Sequence, residues 1–208
     1  YGKRCEIWKC MGVEERMADR CNTIRLYSFQ TDVVYQVLKR DGVCYSKEEY
    51  VRKKYKESAK VFINAYGWFV KEAQHIVPKP EGAEYPYWAF TDLYNVDQTG
   101  DGHVLTLDVP IGEAILFDMF DWTKIMQMHY IGENESEEAT FSEELKNMGM
   151  NEFQIMTSNF YPEQKARIQE SWKRLFGHQQ AIEAGDNSGV HSVQAGLWCI
   201  KDEWIVKE

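Results

Sequence analysis

HVLTLDVP, residues 103–110, is the stretch of sequence that decides the class of fold. Apolar and polar residues alternate along it with the period of two that is typical of a β-strand, and a proline ends the run. AILF, residues 114–117, predicts a second short strand directly afterwards. Asp118 or Asp121 can then cap a following helix. This part of the chain therefore contains both strands and a helix.

The segments before this stretch add another strand and two helices. TIRLYSF, residues 23–29, is rich in β-branched and aromatic residues, which predicts a strand. A short helix follows and stops at Gly42. Ser46 and Glu49 form a capping box at the start of the clearest helix, whose apolar residues keep three-to-four spacing to about Gln74.

The C-terminal part predicts a further helix and a final β-forming region. Pro162 begins a helix with a buried apolar stripe that ends before Gly177. Residues 190–208 are rich in β-forming residues and predict one long strand, or a hairpin that turns near Lys201. The order strand, helices, strands, helices, strand predicts a single α+β domain with a mostly antiparallel sheet packed with several helices.

Composition and charge limit the classes of function. The 208 residues suffice for one well-buried core, which we expect over residues 23–208 behind an N-terminal extension of residues 1–22. A net charge of −9 argues against a general nucleic-acid-binding protein, because phosphate contacts need a basic surface. The sequence has no apolar run as long as a membrane span and does not open with a signal-peptide pattern. We therefore expect a soluble, cytoplasmic protein that does not bind membranes.

DQTGDGHVLTLD, residues 97–108, has the spacing of an EF-hand calcium loop. Asp97, Asp101 and Asp108 fall on positions one, five and twelve, and Gly102 falls on position six. An EF-hand loop lies between two helices, whereas this segment leaves through a strand-like run that ends in proline. We interpret it as a glycine-containing turn that leads into a strand, and we predict no metal site.

Motifs for nucleophilic or phosphate chemistry are missing from the sequence. It contains no GxSxG, no P-loop and no GxGxxG, and its five histidines do not show metal-ligand spacing. His191 and Ser192 are neighbours, but we interpret this dipeptide as part of a surface loop before the final strand. A catalytic class therefore does not follow from any local motif.

Four short motifs resemble an uncharacterised family of bacterial cytoplasmic proteins, found mainly in Firmicutes and known only as a domain of unknown function. They are YPxWA from Tyr85, DxxDW from Asp118, Ser171–Trp172 and VQA from Val193. The resemblance extends over roughly residues 24–206. It implies a single-domain bacterial protein and brings no established activity or cofactor.

The first hypothesis is a domain that binds a small nucleotide-like or sugar-like ligand in an aromatic and acidic pocket. A tryptophan can stack on a base or a sugar while carboxylates and amides bond its edges. The alternative for each tryptophan is a place in the core, and Asp118 can also serve as a helix cap. The candidate ligand-binding residues are Trp88, Asp118, Asp121, Trp122, Trp172 and Trp198.

The second hypothesis is an enzyme that resembles the ADP-ribosyltransferases and uses NAD. That resemblance implies an early Arg or His that grips the NAD phosphates and a late Glu or Gln that stabilises the oxocarbenium-like centre. Arg25 or Gln30 would be the early residue, and Gln194 or Glu203 the late one, although Ser28 stands where His or Arg is usual. A third hypothesis is a protein-interaction subunit of a larger complex.

Overall fold

The computed structural model describes residues 23–49, 52 and 59–207. The predicted extension, residues 1–22, and most of the first part of the predicted long helix lie outside the described residues. The strands are β1 (Thr23–Gln30), β2 (Val43–Tyr45), β3 (Tyr87–Phe90), β4 (His103–Pro110), β5 (Ala114–Asp118), β6 (Val193–Leu197) and β7 (Cys199–Lys201).

Five of these strands form one antiparallel sheet in the order β4–β1–β3–β6–β5, and β2 pairs with β7 in a second, two-stranded sheet. β4 pairs with β1 along its full length, from Pro110 opposite Thr23 to His103 opposite Gln30. β6 lies between β3 and β5 and pairs antiparallel with both. Helices accompany this sheet in the same domain, so the predicted α+β class with a mostly antiparallel sheet is confirmed.

The C-terminal strands do not pair with each other. β6 ends at Leu197, Trp198 separates the two strands, and β7 pairs with β2 so that Lys201 lies opposite Val43. A 3₁₀ turn, Asp202–Trp204, follows β7. The predicted hairpin near Lys201 is therefore wrong, because the partner of β7 comes from a part of the chain that is distant in sequence.

The helices begin and end with recognisable local chemistry. Gly42 ends the first helix with a φ of 76°, a left-handed conformation that glycine adopts without a steric cost. Among the described residues, no helix is long and apolar enough to span a membrane. The helices are α1 (Asp32–Asp41), α2 (Ala59–Ala73), α3 (Met119–Met126), α4 (Glu135–Asn147), α5 (Glu152–Thr157), α6 (Pro162–Ser171) and α7 (Gln179–Glu183).

The five-stranded sheet carries a hydrophobic core on each face. On one face, Phe117 of β5 packs with Phe69 of α2 and Trp122 of α3. On the other face, Leu26 of β1 and Leu116 of β5 belong to a second buried cluster. Alternate residues of β5 point to opposite faces, which is why all five of its residues are buried. The sheet is thus a central layer with packed side chains on both sides.

Candidate functional site

A concave cavity lies at the end of the β5–β6 pair where Ala114 is opposite Leu197. Its volume is about 340 Å³. We call it the tryptophan pocket, and its lining residues are Tyr45, Val77, Pro78, Pro80, Gly112, Glu113, Trp198, Cys199, Lys201 and Trp204. Aromatic and proline rings dominate the walls, and the charged groups are few. This combination is typical of sites for small molecules.

The walls of the tryptophan pocket are joined by contacts that are long-range in sequence. The indole N–H of Trp198 donates to the carbonyl oxygen of Val77 at 2.7 Å, which ties the proline segment after α2 to the end of β6. Trp204 lies in the 3₁₀ turn after β7, and the next residue, Ile205, forms a bridge with Leu107 of β4. The two tryptophans are therefore held by different parts of the fold.

An ion pair forms the polar part of the tryptophan pocket. Nζ of Lys201 lies 2.7 and 2.8 Å from the two carboxylate oxygens of Glu113, and 4.9 Å from the centre of the Trp204 ring. Burial by itself would lower the pKa of Lys201, but the hydrogen bond and charge of Glu113 outweigh it and raise that pKa. Burial also raises the pKa of the Cys199 thiol to about 11, so this thiol stays protonated at neutral pH.

A larger and more open depression of about 530 Å³ lies beside α6, and it is lined in part by Arg167 and Arg174. Both guanidinium groups are engaged by carboxylates. Arg167 forms a bidentate pair with Glu144, and Arg174 contacts Glu137 at 3.2 Å as well as the carbonyl of Ile131 at 2.5 Å. The tryptophan pocket is the better candidate because its aromatic walls offer apolar surface and it is less open to solvent than this depression.

The sequence profile of a domain of unknown function, DUF3841, matches residues 25–206. The chain belongs to the DUF3841 family. The match includes all residues that line the tryptophan pocket, and it confirms the predicted resemblance to a domain of unknown function over nearly the whole chain. No curated protein and no solved structure matches the chain. The evidence for an activity of this DUF3841 domain is therefore the arrangement of its own side chains.

Two of the predicted ligand-binding tryptophans, Trp88 and Trp122, pack together in an aromatic cluster on one face of the sheet. Their ring centres are 4.8 Å apart, and Trp122 also lies 5.3 Å from Phe69. The indole N–H of Trp88 donates to the hydroxyl of Tyr66 at 2.7 Å. Trp122 is buried and Trp88 is half-buried, so this cluster fills the core rather than lining the tryptophan pocket.

The other two predicted tryptophans have different environments. Trp172 is completely buried, and its indole N–H donates to the carbonyl of His129 at 2.6 Å. Trp68 packs against it edge to face at 5.4 Å. Trp198, in contrast, lines the tryptophan pocket. Trp198 is itself only 3% exposed, and of the four candidates it is the one that borders this cavity.

The two predicted aspartates lie around the start of α3, away from the tryptophan pocket. Asp118 caps α3, since its Oδ1 accepts the N–H of Phe120 at 3.0 Å. Asp121 lies in the first turn and is 3.7 Å from Lys124. Burial raises the pKa of Asp121, and the charge of Lys124 opposes this only in part. The cap role that the sequence offered as an alternative for Asp118 is confirmed.

The three predicted transferase residues are not gathered into one site. Arg25 and Gln30 are five residues apart in β1, so they point to opposite faces of the sheet. Both carboxylate oxygens of Asp108 engage Arg25, at 2.5 and 3.0 Å, whereas the amide of Gln30 donates to Ser28 at 2.8 Å. Gln194 is buried in β6, separated from β1 by β3. The alternative late residue, Glu203, lies in the turn after β7.

The EF-hand-like segment adopts a turn followed by a strand. Its second half is β4, and Asp108 at the twelfth position forms the pair with Arg25. Asp97 at the first position accepts the backbone N–H and the hydroxyl of Thr99. Within the part of the chain that the structure describes, no group of three or more His, Cys, Asp or Glu could hold a metal ion.

Of the residues that line the tryptophan pocket, sequence reasoning singled out only Trp198 and missed the others, among them Tyr45, Glu113 and Trp204. Glu113 and its partner Lys201 are 88 residues apart, so no local spacing could pair them. Trp204 follows Lys201 by three residues, but the prediction of a strand or hairpin there did not predict the 3₁₀ turn that carries its ring. The available signal was the pair of tryptophans that flanks Lys201 in WCIKDEW.

Proposed function

We propose that this DUF3841 domain binds a small ligand with a sugar-like ring in the tryptophan pocket. The observation that carries the proposal is the combination of two tryptophan walls with one carboxylate–ammonium pair in a cavity of about 340 Å³. Trp198 and Trp204 are 3% and 4% exposed, and the small part of each indole that borders the cavity can pack on the C–H groups of a sugar ring. Glu113 can accept and Lys201 can donate hydrogen bonds to the hydroxyls of that ring.

The charge of the tryptophan pocket favours a neutral ligand. Glu113 and Lys201 together have no net charge, and they already satisfy each other at 2.7 Å. A phosphate would have to compete with Glu113 for Lys201 and would be repelled by the carboxylate, whereas a hydroxyl group can bridge the pair. We therefore favour a free sugar or a nucleoside ribose over a phosphorylated nucleotide.

The size of the tryptophan pocket favours one ring. Its volume of about 340 Å³ is near the lower limit of small-molecule sites, which occupy roughly 300–1,000 Å³. A dinucleotide such as NAD needs a longer site. NAD as the cofactor of a transferase remains a prediction that the separated positions of Arg25, Gln30 and Gln194 do not support.

A ligand panel tests the proposal. Hexoses, pentoses, nucleosides, AMP and NAD would be compared by thermal unfolding and by quenching of tryptophan fluorescence. A ligand at about 100 times its Kd stabilises the fold by roughly 2.7 kcal/mol, which for a chain of this size raises Tm by about 5–10 °C. We expect a sugar or nucleoside to give the largest shift.

The variant Glu113→Gln tests whether an observed ligand binds in the tryptophan pocket. Loss of a charge-assisted hydrogen bond from Glu113 should reduce the binding free energy by about 1.5–3 kcal/mol and raise Kd by about 10–100-fold. Asp108→Asn is the matched control, because it makes the same carboxylate-to-amide change in the Arg25 pair between β1 and β4. Equal affinity in Glu113→Gln and wild type, or no binding of any sugar or nucleoside, would contradict the proposal. Nicotinamide release from NAD would instead favour the transferase.

A further inference from the structure

A histidine–aspartate pair lies at the opposite end of β5 and β6 from the tryptophan pocket. At that end Asp118 pairs with Val193, four residues along β5 from Ala114, which corresponds to about 13 Å. His191 precedes β6, and its Nδ1 lies 2.8 Å from Oδ2 of Asp118. The pair is therefore a separate group of residues, and its chemistry does not depend on the ligand of the tryptophan pocket.

The environment of Asp118 determines which nitrogen of His191 carries the proton. The Asp118 side chain is only 5% exposed, and its oxygens accept the backbone N–H groups of Phe120 and His191, each at 3.0 Å. Burial raises the pKa of Asp118, but these N–H groups and the imidazole outweigh it, so the pKa lies below its usual value. An ionised carboxylate can only accept, so Nδ1 must donate.

The basic nitrogen of His191 is consequently Nε2, on the far side of the ring. The His191 side chain is 75% exposed, so Nε2 is open to solvent. Hydrogen bonds to Ser192, the residue after His191, hold the loop in place. The backbone N–H of Met119 donates to the carbonyl of Ser192 at 2.9 Å, and the side-chain amide of Asn95 donates to the Ser192 hydroxyl at 2.6 Å.

A role as helix cap and loop anchor does not account for the imidazole. The cap needs only the carboxylate of Asp118, and the backbone N–H of His191 already ties the loop to that carboxylate. The imidazole adds a third contact that orients the ring and leaves a basic nitrogen exposed. The Phe120 ring lies beside it, with a centre-to-centre distance of 5.0 Å, and is itself 51% exposed.

We propose that His191 is the catalytic base of an ester-hydrolysing site, with Asp118 as its positioning residue and Phe120 as the contact for a planar group of the substrate. Nε2 takes a proton from a water molecule while the water oxygen attacks the ester carbonyl carbon. The C–O bond to the leaving group then breaks, and the imidazolium returns the proton to the departing oxygen. One ester and one water become one acid and one alcohol, and His191 ends neutral.

Hydrolysis of p-nitrophenyl acetate by the full chain tests this site. We expect His191→Gln to lower kcat about 100-fold, within the range of a lost general base. His103→Gln is the matched control, because Nε2 of His103 also lies 2.8 Å from a carboxylate, but that carboxylate, Asp32, is 67% exposed. The proposal is overturned if His191→Gln hydrolyses the ester at the wild-type rate, or if the wild type is no faster than an equal concentration of free imidazole.

The positioning role of Asp118 needs a readout other than stability. Asn is also a good helix cap, so Asp118→Asn should fold while losing the carboxylate. Nitrogen-15 NMR should show Nδ1–H on His191 in the wild type, and a shift towards Nε2–H together with a lower kcat in Asp118→Asn. Phe120→Ala should raise KM and change kcat little. Finding Nε2–H in the wild type would refute the role assigned to Asp118.

Discussion

Gly196→Ala would test whether β6, the strand between the two candidate sites, tolerates a single added methyl group. Gly196 is the last but one residue of β6 and lies opposite Trp88 of β3 and Ile115 of β5. A Cβ at this position would be 2.8 Å from Cζ and 3.1 Å from Cε1 of Phe69. The Phe69 ring is 0% exposed and packs against neighbouring rings, so it cannot move aside into solvent.

Two opposing effects decide the sign of this change. Replacing glycine by alanine in a strand normally raises the free energy of unfolding by about 0.5–1 kcal/mol, because the chain with alanine loses less conformational entropy on folding. Overpacking of a closed core costs about 1–3 kcal/mol. With a contact below 3 Å to a buried ring, the second effect should dominate. We expect a net loss of about 1–2 kcal/mol, and a fall in Tm of about 2–8 °C.

Urea unfolding followed by circular dichroism measures the difference. Gly67→Ala is the control, because Gly67 is exposed in α2 and a Cβ there meets nothing within 4 Å. That variant should gain about 0.8–1 kcal/mol. Adding Phe69→Leu to Gly196→Ala should recover part of the loss by making room for the methyl group. A Gly196→Ala protein as stable as the wild type would refute the packing argument.

Two further predictions concern buried polar groups. Trp198→Phe should lose about 1–3 kcal/mol in urea unfolding, because the carbonyl of Val77 loses its indole donor, and an unchanged midpoint would contradict this. Asp121 has a raised pKa in the folded state because of burial, so its ionisation costs stability as pH rises through that pKa. Asp121→Asn should therefore raise Tm relative to wild type at neutral pH and not at a pH below the unfolded pKa of Asp. A difference in Tm that is independent of pH would show that the reasoning is wrong.

Local sequence patterns predicted several strands and helices, and the predicted boundaries lie close to those in the structure. The alternating run of residues 103–110 is β4, residues 114–117 lie within β5, and residues 23–29 lie within β1. Gly42 ends α1 and Asp118 caps α3. These features depend on neighbours in sequence: side-chain alternation, left-handed glycine and a carboxylate that accepts nearby N–H groups. They could be predicted because the residues that cause them are a few positions apart.

The candidate sites were only partly predictable. The sequence predicts a site role for Asp118 and Trp198, because they are a polar and an aromatic residue within aromatic motifs, and each lies in a different site. It predicts a surface loop for His191, whose bond to Asp118 spans 73 residues. A tryptophan in the core and one in a pocket have the same local sequence signature, so Trp172 could not be distinguished from Trp198.

The sequence by itself determined that residues 23–29, 103–110 and 114–117 are β-strands, that Gly42 ends a helix and Asp118 begins one, and that the domain is α+β with an aromatic interior. Only the tertiary structure shows that β7 pairs with β2 and not with β6. This pairing determines which side chains come into contact. Glu113 meets Lys201 at one end of the β5–β6 pair, and His191 meets Asp118 at the other. The physical reason is that strand pairing and burial are long-range: they depend on which surfaces exclude water together, and no short stretch of sequence contains both partners.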